Sequence, residues 1–460
     1  MAAGIFEMFD QEQTDRIVSR VYEAAFGARV RLAKLAHEET RLGVWEHKVL
    51  KNVIATQLIY EEIRGERTVG VIAENQATGI TEIAQPLGPI LAMIPVTNPT
   101  STVLFKTLIA LKTRNPIIVN PHKNASASCR EAARICYEAA LEADAPEHCI
   151  QWVTAPSREM THALMSHPGV ALILATGGPS LVKAAYSSGT PAYGVGPGNV
   201  PVLVDESADL PFAVANIIIS KTFDNGTICA SEQAIVCQSG IASRLRREFA
   251  DQGAYFMTPE ETRRVAAVAV DPTTGQMTSV IIGQPVTAIA SLAGISPPAG
   301  TTLLMATLDG VGPGFPLSGE VLAPILAFYQ RDSFEEAIKL CIDLNFLQGL
   351  GHTASIFAND EARIRRYCTL MNAGRIVVNA PSAQGAVGGS FTRLNVSFTL
   401  GCGTWGKNIT TENVTARHLL NIKRVCRRRG NDKWLTFPKE RYLDESMSAG
   451  DCTREYHKNS

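Results

Sequence analysis

A cysteine that follows a short polar turn is the residue of this chain best suited to chemistry. Cys229 lies within residues 223–233, shortly after Asn225 and Gly226. A thiolate is the reactive form of cysteine, and it needs exposure, nearby backbone N–H donors and a turn that holds it toward a substrate. Asparagine and glycine favour such a turn. Composition alone predicts the alternative, which is a cysteine buried in the core.

A glycine-containing segment supplies a second candidate site. Thr176, Gly177 and Gly178 lie between an apolar strand pattern and a helical pattern. Glycines at such a corner let the backbone approach a phosphate, and the start of the following helix favours negative charge. The segment predicts a dinucleotide-binding turn. A plain loop is the alternative, because the full G-x-G-x-x-G spacing is absent.

Arg393 is a candidate for binding an anionic group of the substrate. It ends the glycine-containing segment 382–393, which we expect to border the mouth of a substrate pocket. A guanidinium group binds a carboxylate or a sulfonate through paired N–H donors. The commoner alternative is an exposed arginine without a ligand.

Two helical patterns and a hairpin pattern open the chain. Apolar residues recur at helical spacing in residues 11–36 and again in residues 45–63, which predicts two amphipathic helices. The second helix is expected to bury the face that carries Val49, Leu50, Val53 and Ile54. Residues 68–73 and 79–85 flank a polar turn and predict a β-hairpin.

From residue 116 onward, apolar strands alternate with helical stretches, which is typical of βαβ units and a parallel sheet. The strands predicted before Cys229 are 117–119, 150–153, 170–175 and 200–204, with helices at 126–142, 157–166, 180–188 and 210–222. The strands predicted after it are 234–236, 302–304, 323–328, 355–357 and 376–379. The pattern predicts an α/β fold.

Composition limits the function classes. At 460 residues and 45% hydrophobic residues, the chain is long enough for two or more domains. Its 43 basic and 44 acidic residues give no electrostatic footprint for nucleic acid or a membrane surface, and the short basic cluster at 427–429 is expected to be a solvated face. Ten scattered cysteines without zinc-type spacing predict reduced thiols and no metal site. We expect a cytoplasmic protein without a membrane span.

Several motifs together resemble one enzyme family. They are the 223–233 stretch around Cys229, Trp405-Gly406-Lys407-Asn408, and the segment 412–423. The chain resembles CoA-acylating aldehyde dehydrogenases, both the aldehyde dehydrogenase half of bifunctional alcohol/aldehyde dehydrogenases and the stand-alone enzymes for succinate semialdehyde or sulfoacetaldehyde.

The resemblance implies an aldehyde dehydrogenase-like α/β architecture. Residues 1–222 are expected to form a Rossmann-like cofactor domain, and residues 223–400 a catalytic domain that carries the nucleophile. Residues 401–460 are expected to return to the cofactor domain and to end in an oligomerisation strand and a tail. With the hairpin at 68–85, that strand would build a small β element for a homo-oligomer, a dimer or a dimer of dimers.

The resemblance also implies catalytic roles. Asn98 matches an asparagine whose amide, with the backbone N–H of Cys229, forms an oxyanion hole. The alternative is that an asparagine before proline only starts a turn. His352 matches a histidine of the acylating group, where an imidazole can help to deprotonate an incoming thiol. A lone histidine is otherwise more often structural.

The loop 194–199 lacks a residue that the hydrolytic members of the family use. They place a glutamate there to activate water against the thioester, whereas this chain has glycine, valine, proline and asparagine. A thiol such as coenzyme A needs less base assistance than water does. The resemblance therefore implies acyl transfer to CoA, and it assigns Gly196 to the cofactor site.

The remaining cofactor residues also come from the resemblance. Glu320 matches a glutamate that binds the nicotinamide ribose, with an exposed loop carboxylate as the alternative. Asn120 occupies the position of a lysine in the wider family. Lys123 occupies the position of a glutamate that, in the wider family, binds the adenosine ribose. A cation in place of that carboxylate predicts that NADP is accepted as well as NAD. Lys123 can equally be a solvent-facing residue.

These features predict a reversible, CoA-acylating, NAD(P)-dependent oxidation of a short aldehyde through a Cys229 thioester. Three other hypotheses stay open at this stage. They are a hydrolytic aldehyde dehydrogenase, a cysteine acyltransferase or amidase without nicotinamide, and an inactive assembly module with the same fold.

Overall fold

The computed structural model describes residues 1–428, 440 and 443–457. Arg429, the last residue of the basic cluster, and about half of the tail after it lie outside the described residues. The chain divides into two compact units. One comprises Met1–Thr68 and Pro86–Asn421, and the other comprises Val69–Gln85 and Ile422–Ser460.

The strands of the described chain, numbered in order, form three sheets. They are β1 Gly70–Asn75, β2 Ile80–Pro86, β3 Ile90–Ile94, β4 Ile117–Pro121, β5 Ile150–Trp152, β6 Leu172–Thr176, β7 Ala192–Val195, β8 Val200–Val204, β9 Glu232–Gln238, β10 Ala254–Phe256, β11 Leu303–Thr307, β12 Ile325–Arg331, β13 Ala354–Phe357, β14 Ile376–Val378 and β15 Leu420–Cys426.

The helices accompany these strands in the alternation that the sequence predicts. They are Ala2–Glu7, Gln11–Gly27, Arg29–Thr40, Trp45–Val53, Ile59–Ile63, Pro99–Lys112, Ser126–Glu142, Arg158–Met165, Pro179–Tyr186, Leu210–Thr222, Ser239–Asp251, Pro259–Ala269, Val286–Ala293, Phe334–Leu347, Glu361–Leu370, Ser382–Val387 and Ala449–His457. The α/β prediction is confirmed.

Two sheets of the larger unit are entirely parallel. One has the order β5-β4-β3-β6-β7 and the other β10-β11-β12-β9-β8-β13-β14. Their strands are short apolar runs that are mostly buried, as expected when helices cover both faces of a sheet. In the five-stranded sheet the order reverses at β3 and β6, so the loops after these two strands border a crevice suited to ligands.

The boundary between the two sheets corrects one expectation. β8 was expected in the cofactor domain at 1–222, but it pairs with β9 and β13 in the seven-stranded sheet. The change of sheet therefore falls between β7 and β8, not at residue 222. An apolar strand carries no local signal of which sheet it joins, because hydrogen-bond partners come from distant segments.

The predicted hairpin is confirmed. β1 and β2 pair antiparallel, with Asn75 opposite Ile80 next to the turn, and β15 completes a three-stranded sheet. Glu82 on β2 forms an ion pair of 3.1 Å with Arg424 on β15. Most residues of β1 and β15 are exposed.

The N-terminal helices differ from their predictions in two respects. The expected helix 11–36 is two helices that meet at Ala28, directly after Gly27, which is a poor helix former. The helix at 45–63 contains a π-helical turn at Ile54–Leu58. The prediction of which face of this helix is buried is wrong, because Leu50 is 51% exposed whereas Lys48 and Lys51 are buried. The reason is the polar site that this helix faces.

Candidate active site

The turn before Cys229 has an unusual backbone. Asp224, Asn225 and Gly226 adopt positive φ angles of 49°, 53° and 75°. Asn225 holds the turn through Nδ2, which donates to the Gly283 carbonyl at 2.9 Å. A Cβ on Gly226 would lie 2.9 Å from the Ala323 carbonyl oxygen, so glycine is needed there. The predicted turn is present, and it brings Cys229 to a partly exposed position.

The surroundings of Cys229 oppose its ionisation in the ligand-free protein. Burial raises the pKa of its thiol to about 12, and Glu320 and Cys402 also raise it, while Arg375 acts in the opposite direction. The thiol is therefore protonated at neutral pH, and a nearby positive charge becomes important for forming the thiolate.

Asn98 directs its amide toward the turn that carries Cys229. Its Oδ1 accepts from Lys51 Nζ at 2.6 Å, and its Nδ2 donates to the Thr227 carbonyl at 3.2 Å and to Thr97 Oγ1 at 3.0 Å. An ammonium group only donates and a backbone carbonyl only accepts, so these contacts define which end of the amide is oxygen. Asn98 is the residue before Pro99–Lys112, a helix that follows β3 and whose residues are all buried.

A buried charge cluster, which the sequence analysis missed, supports this amide. We call Lys48, Lys51 and Asp224 the lysine–aspartate cluster. Asp224 Oδ2 accepts from Lys48 Nζ at 2.9 Å and from Lys51 Nζ at 2.5 Å, and its Oδ1 accepts from the Val44 N–H at 2.6 Å. Lys51 also donates to Thr227 Oγ1 at 2.9 Å. Two lysines three residues apart in an N-terminal helix were the available signal, but such residues usually face solvent.

The charges in this cluster depend on one another. Burial lowers the pKa of Lys51 to about 8, against the opposing effect of Asp224. Burial would raise the pKa of Asp224, but Lys51 and Lys48 bring it below its ordinary value. Removing one partner of such a buried pair costs about 3–5 kcal/mol, because a charge is then left without compensation.

His352 and Glu320 meet Cys229 around Gly198. A Cβ on Gly198 would lie 2.1 Å from the Cys229 carbonyl oxygen and 3.2 Å from His352 Cγ. The N–H of Gly198 donates to Glu320 Oε1 at 2.8 Å. The loop that lacks the family glutamate thus packs directly against the nucleophile turn, and only a residue without a side chain fits at this position.

The protonation of these two groups follows from burial. His352 is fully buried, its Nδ1 lies 2.9 Å from Thr353 Oγ1, and within the described residues its Nε2 has no hydrogen-bond partner. Burial lowers the pKa of His352 to about 3, and Arg375 lowers it further. Burial raises the pKa of Glu320 to about 7. His352 is therefore a neutral imidazole, and Glu320 can hold or release a proton near neutrality.

The glycine turn lies where the five-stranded sheet reverses its order. Thr176 ends β6, Gly178 is exposed, and Thr176 pairs with Val195, which places Gly196 at the same edge of the sheet. Lys106 is buried beneath this edge. Its Nζ donates to the carbonyls of Met93 and Leu174 at 2.8 Å each and to Thr176 Oγ1 at 3.0 Å, so none of these partners carries a negative charge. Burial lowers the pKa of Lys106 to about 7, so this amine is only partly charged near neutrality, and the exposed backbone of the turn is the main feature that fits a phosphate group.

Among the described residues, three other predicted residues make no hydrogen bond to Cys229 or to the glycine turn. Asn120 is buried, and its Nδ2 donates to Thr161 Oγ1 at 2.9 Å. Lys123 is exposed in a 3-10 turn shortly after β4. Arg393 is exposed, and no hydrogen bond or ion pair between described residues joins it to Cys229.

Across the described residues, no helix combines the length and apolarity needed to cross a membrane. Nor do those residues contain a group of three or more histidine, cysteine, aspartate or glutamate side chains arranged to hold a metal ion.

The sequence pattern of the aldehyde dehydrogenase family matches residues 6–399. The chain belongs to this family. It is 45% identical over 442 residues to an aldehyde-alcohol dehydrogenase of Clostridium acetobutylicum, an alignment that covers 95% of this chain and 51% of that protein. The chain thus spans about half the length of such relatives.

Other members of the aldehyde dehydrogenase family match the chain over nearly their full length. The identity is 38% over 420 residues with a succinate-semialdehyde dehydrogenase (acetylating) of Clostridium kluyveri, covering 91% of this chain and 92% of that one. The crystal structure of an acetylating aldehyde dehydrogenase from Geobacillus thermoglucosidasius has a TM-score of 0.91 and 47% identity, covering 94% of each chain. The aldehyde dehydrogenase-like fold expected from the sequence is confirmed.

Proposed function

We propose that this protein is a CoA-acylating aldehyde dehydrogenase. The observation that carries the proposal is a partly exposed Cys229 on a left-handed turn, next to an Asn98 amide of defined orientation. The similarity to acetylating enzymes over nearly the whole chain supports the same reaction.

The chain's own residues account for the steps. Cys229 loses its proton to solvent or a neighbouring base, and the thiolate then attacks the aldehyde carbon. The backbone N–H of Cys229 and the Asn98 amide stabilise the oxyanion that results, once one Nδ2 hydrogen of Asn98 is released from the Thr227 carbonyl or Thr97 Oγ1. A nicotinamide dinucleotide held at Thr176, Gly177, Gly178 and Gly196 would supply the hydride acceptor needed to oxidise this adduct to a thioester. The thiol of CoA then displaces the acyl group and frees Cys229, and His352 can accept the thiol proton only if ligand binding raises its pKa from about 3.

We propose that the dinucleotide is bound by Thr176, Gly177, Gly178 and Gly196. Glu320 is proposed to bind the nicotinamide ribose. The strand order of the five-stranded sheet, read along the chain as 3-2-1-4-5, supports a Rossmann-like cofactor domain. Lys106, whose pKa is lowered to about 7 by burial, adds positive charge beneath the turn when it is protonated.

The choice between NAD and NADP depends on Lys123 in this proposal. Its exposed position after β4 supports contact with a ribose 2′-phosphate. Replacing Lys123 with glutamate is expected to lower kcat/KM for NADP at least about 10-fold while that for NAD changes little. Steady-state assays with both cofactors measure this, with Lys123→Gln as a charge-neutral control. An unchanged NADP/NAD ratio in Lys123→Glu would contradict the assignment.

Hydrolysis to the free acid is a second candidate, and one observation favours it. The Glu320 carboxylate, whose pKa is raised to about 7, contacts Gly198 beside the nucleophile turn and can act as a base for water. The absence of a carboxylate within residues 194–199 supports CoA as the acceptor instead.

We further propose a short aldehyde as substrate, with acetaldehyde, succinate semialdehyde and sulfoacetaldehyde as the candidates and Arg393 as the contact for an anionic tail. Ten free thiols, six of them buried, support a reducing, cytoplasmic compartment. The three-stranded sheet supports assembly into a homo-oligomer.

The decisive experiment measures nicotinamide reduction with these three aldehydes and either cofactor, each with and without CoA. Turnover that requires CoA and disappears in Cys229→Ala is the expected result. Free acid formed without CoA would support hydrolysis, and no turnover with any aldehyde would overturn the proposed reaction for these substrates.

A further inference from the structure

Among the described residues, the only charged group that bonds the Asn98 side chain is Lys51. The contact joins the buried Lys51 Nζ to Oδ1 of the partly exposed Asn98 over 2.6 Å. In a partly buried position an ammonium–amide hydrogen bond is stronger than in water, because solvent screens it less. The orientation of Asn98 therefore depends on Lys51.

The lysine–aspartate cluster also carries an excess of charge. Two ammonium groups share the single carboxylate of Asp224, which leaves one positive charge uncompensated among the three. Lys51 is the member that extends beyond Asp224 to Asn98 and Thr227, so the excess lies toward the nucleophile turn.

We propose that Lys51 is a positioning residue for the first chemical step. Its ammonium holds the Asn98 amide with Nδ2 directed to the nucleophile turn, and its charge favours the Cys229 thiolate and the oxyanion. This role rests on the proposed function, since it requires that an oxyanion forms beside Asn98.

The step balances without a proton from Lys51. As the S–C bond forms, the π electron pair of the aldehyde moves onto oxygen, and the thiol proton has already left to solvent or a neighbouring base. The negative charge passes from sulfur to oxygen. Lys51 keeps its proton throughout and acts only through its hydrogen bond and its field.

The competing explanation is that the cluster only joins the helix Trp45–Val53 to the turn at Asp224. Lys48 offers a matched control, because it also bonds Asp224 but makes its other hydrogen bond to the Thr97 carbonyl at 3.3 Å rather than to Asn98. Both lysines are buried, so their replacement removes similar ion pairs.

The experiment compares Lys51→Met, Lys51→Gln and Lys48→Met, after circular dichroism and thermal unfolding have established which variants are folded. Single-turnover nicotinamide reduction reports the first half-reaction. Iodoacetamide alkylation of Cys229 reports thiolate formation without aldehyde, nicotinamide or CoA. Acyl transfer to CoA from a preformed acyl-enzyme reports the second half-reaction.

We expect Lys51→Met to slow single-turnover reduction by at least about 30-fold and alkylation by about 5-fold, with a smaller effect on acyl transfer. Lys51→Gln keeps a donor for Asn98 but not the charge, so it should recover part of the reduction rate and none of the alkylation rate. Lys48→Met should lower the single-turnover reduction rate and the alkylation rate by less than about 5-fold each.

Equal losses in Lys48→Met and the Lys51 variants would overturn the proposal in favour of a structural cluster. So would a folded Lys51→Met or Lys51→Gln with rates within about 3-fold of wild type. Failure of the proposed function is distinguishable, because wild type would then reduce no nicotinamide with any aldehyde, while alkylation would still compare the lysines.

Discussion

Burial sets the protonation of individual residues around Cys229. The pKa of Cys229 is raised to about 12, that of His352 is lowered to about 3 and that of Glu320 is raised to about 7. A resting thiolate–imidazolium pair, as in many cysteine hydrolases, is therefore not favoured. The nucleophile therefore has to be activated by a positive charge other than a protonated His352.

Acid stability tests the burial of His352. Its folded pKa of about 3 lies below its ordinary value of 6.5, so the unfolded chain binds the extra proton first. Stability should fall as the pH decreases from 6.5 toward 3, by up to about 1.4 kcal/mol per pH unit from this residue.

Replacing His352 with glutamine should remove that slope in urea unfolding at several pH values. The exposed His162 provides a control, since His162→Gln should leave the slope unchanged. If the free energy of unfolding changes with pH in the same way for wild type and His352→Gln, the imidazole is not buried as described.

At the scale of elements, the loop after β7 and the turn after Leu210–Thr222 depend on close backbone approach. Gly198→Ala should lower stability by about 1–3 kcal/mol, because its Cβ would overlap the Cys229 carbonyl 2.1 Å away. Gly196, in the same loop, has no atom within 4 Å of such a Cβ, so Gly196→Ala should unfold close to wild type. Thermal unfolding of both variants without ligands measures this. Equal thermal unfolding midpoints for Gly198→Ala and Gly196→Ala would contradict the packing described around Gly198.

At the scale of the whole molecule, exposed apolar residues on the three-stranded sheet argue for assembly. Val71 is 37% exposed on β1 and Val425 is 43% exposed on β15, and a small sheet needs further packing to be stable. We expect light scattering to give the mass of a dimer or a dimer of dimers.

The double variant Val71→Lys/Val425→Lys should shift that mass toward the monomer. Leu292→Lys, which changes a 53% exposed leucine of the other unit, is the control and should leave it unchanged. A monomeric wild type, or an unchanged mass in the double variant, would rule out this sheet as the contact.

Local patterns determined a large part of this protein. The alternation of apolar strands and helices predicted the α/β class, the turn residues predicted the hairpin and the position of Cys229, and the motifs predicted the family. Each of these depends on residues close together in sequence, whose spacing and backbone preferences act without help from the rest of the chain.

The tertiary structure alone decided which sheet β8 joins, which face of Trp45–Val53 is buried, and how the Asn98 amide is oriented. Lys51 and Asp224 are 173 positions apart, so neither residue by itself indicates that its charge is compensated. Without that pairing, helical periodicity points Leu50 inward and the lysines outward. Desolvation and strand pairing depend on partners that folding brings together, and this is why the sequence located Cys229 but not the charges that surround it.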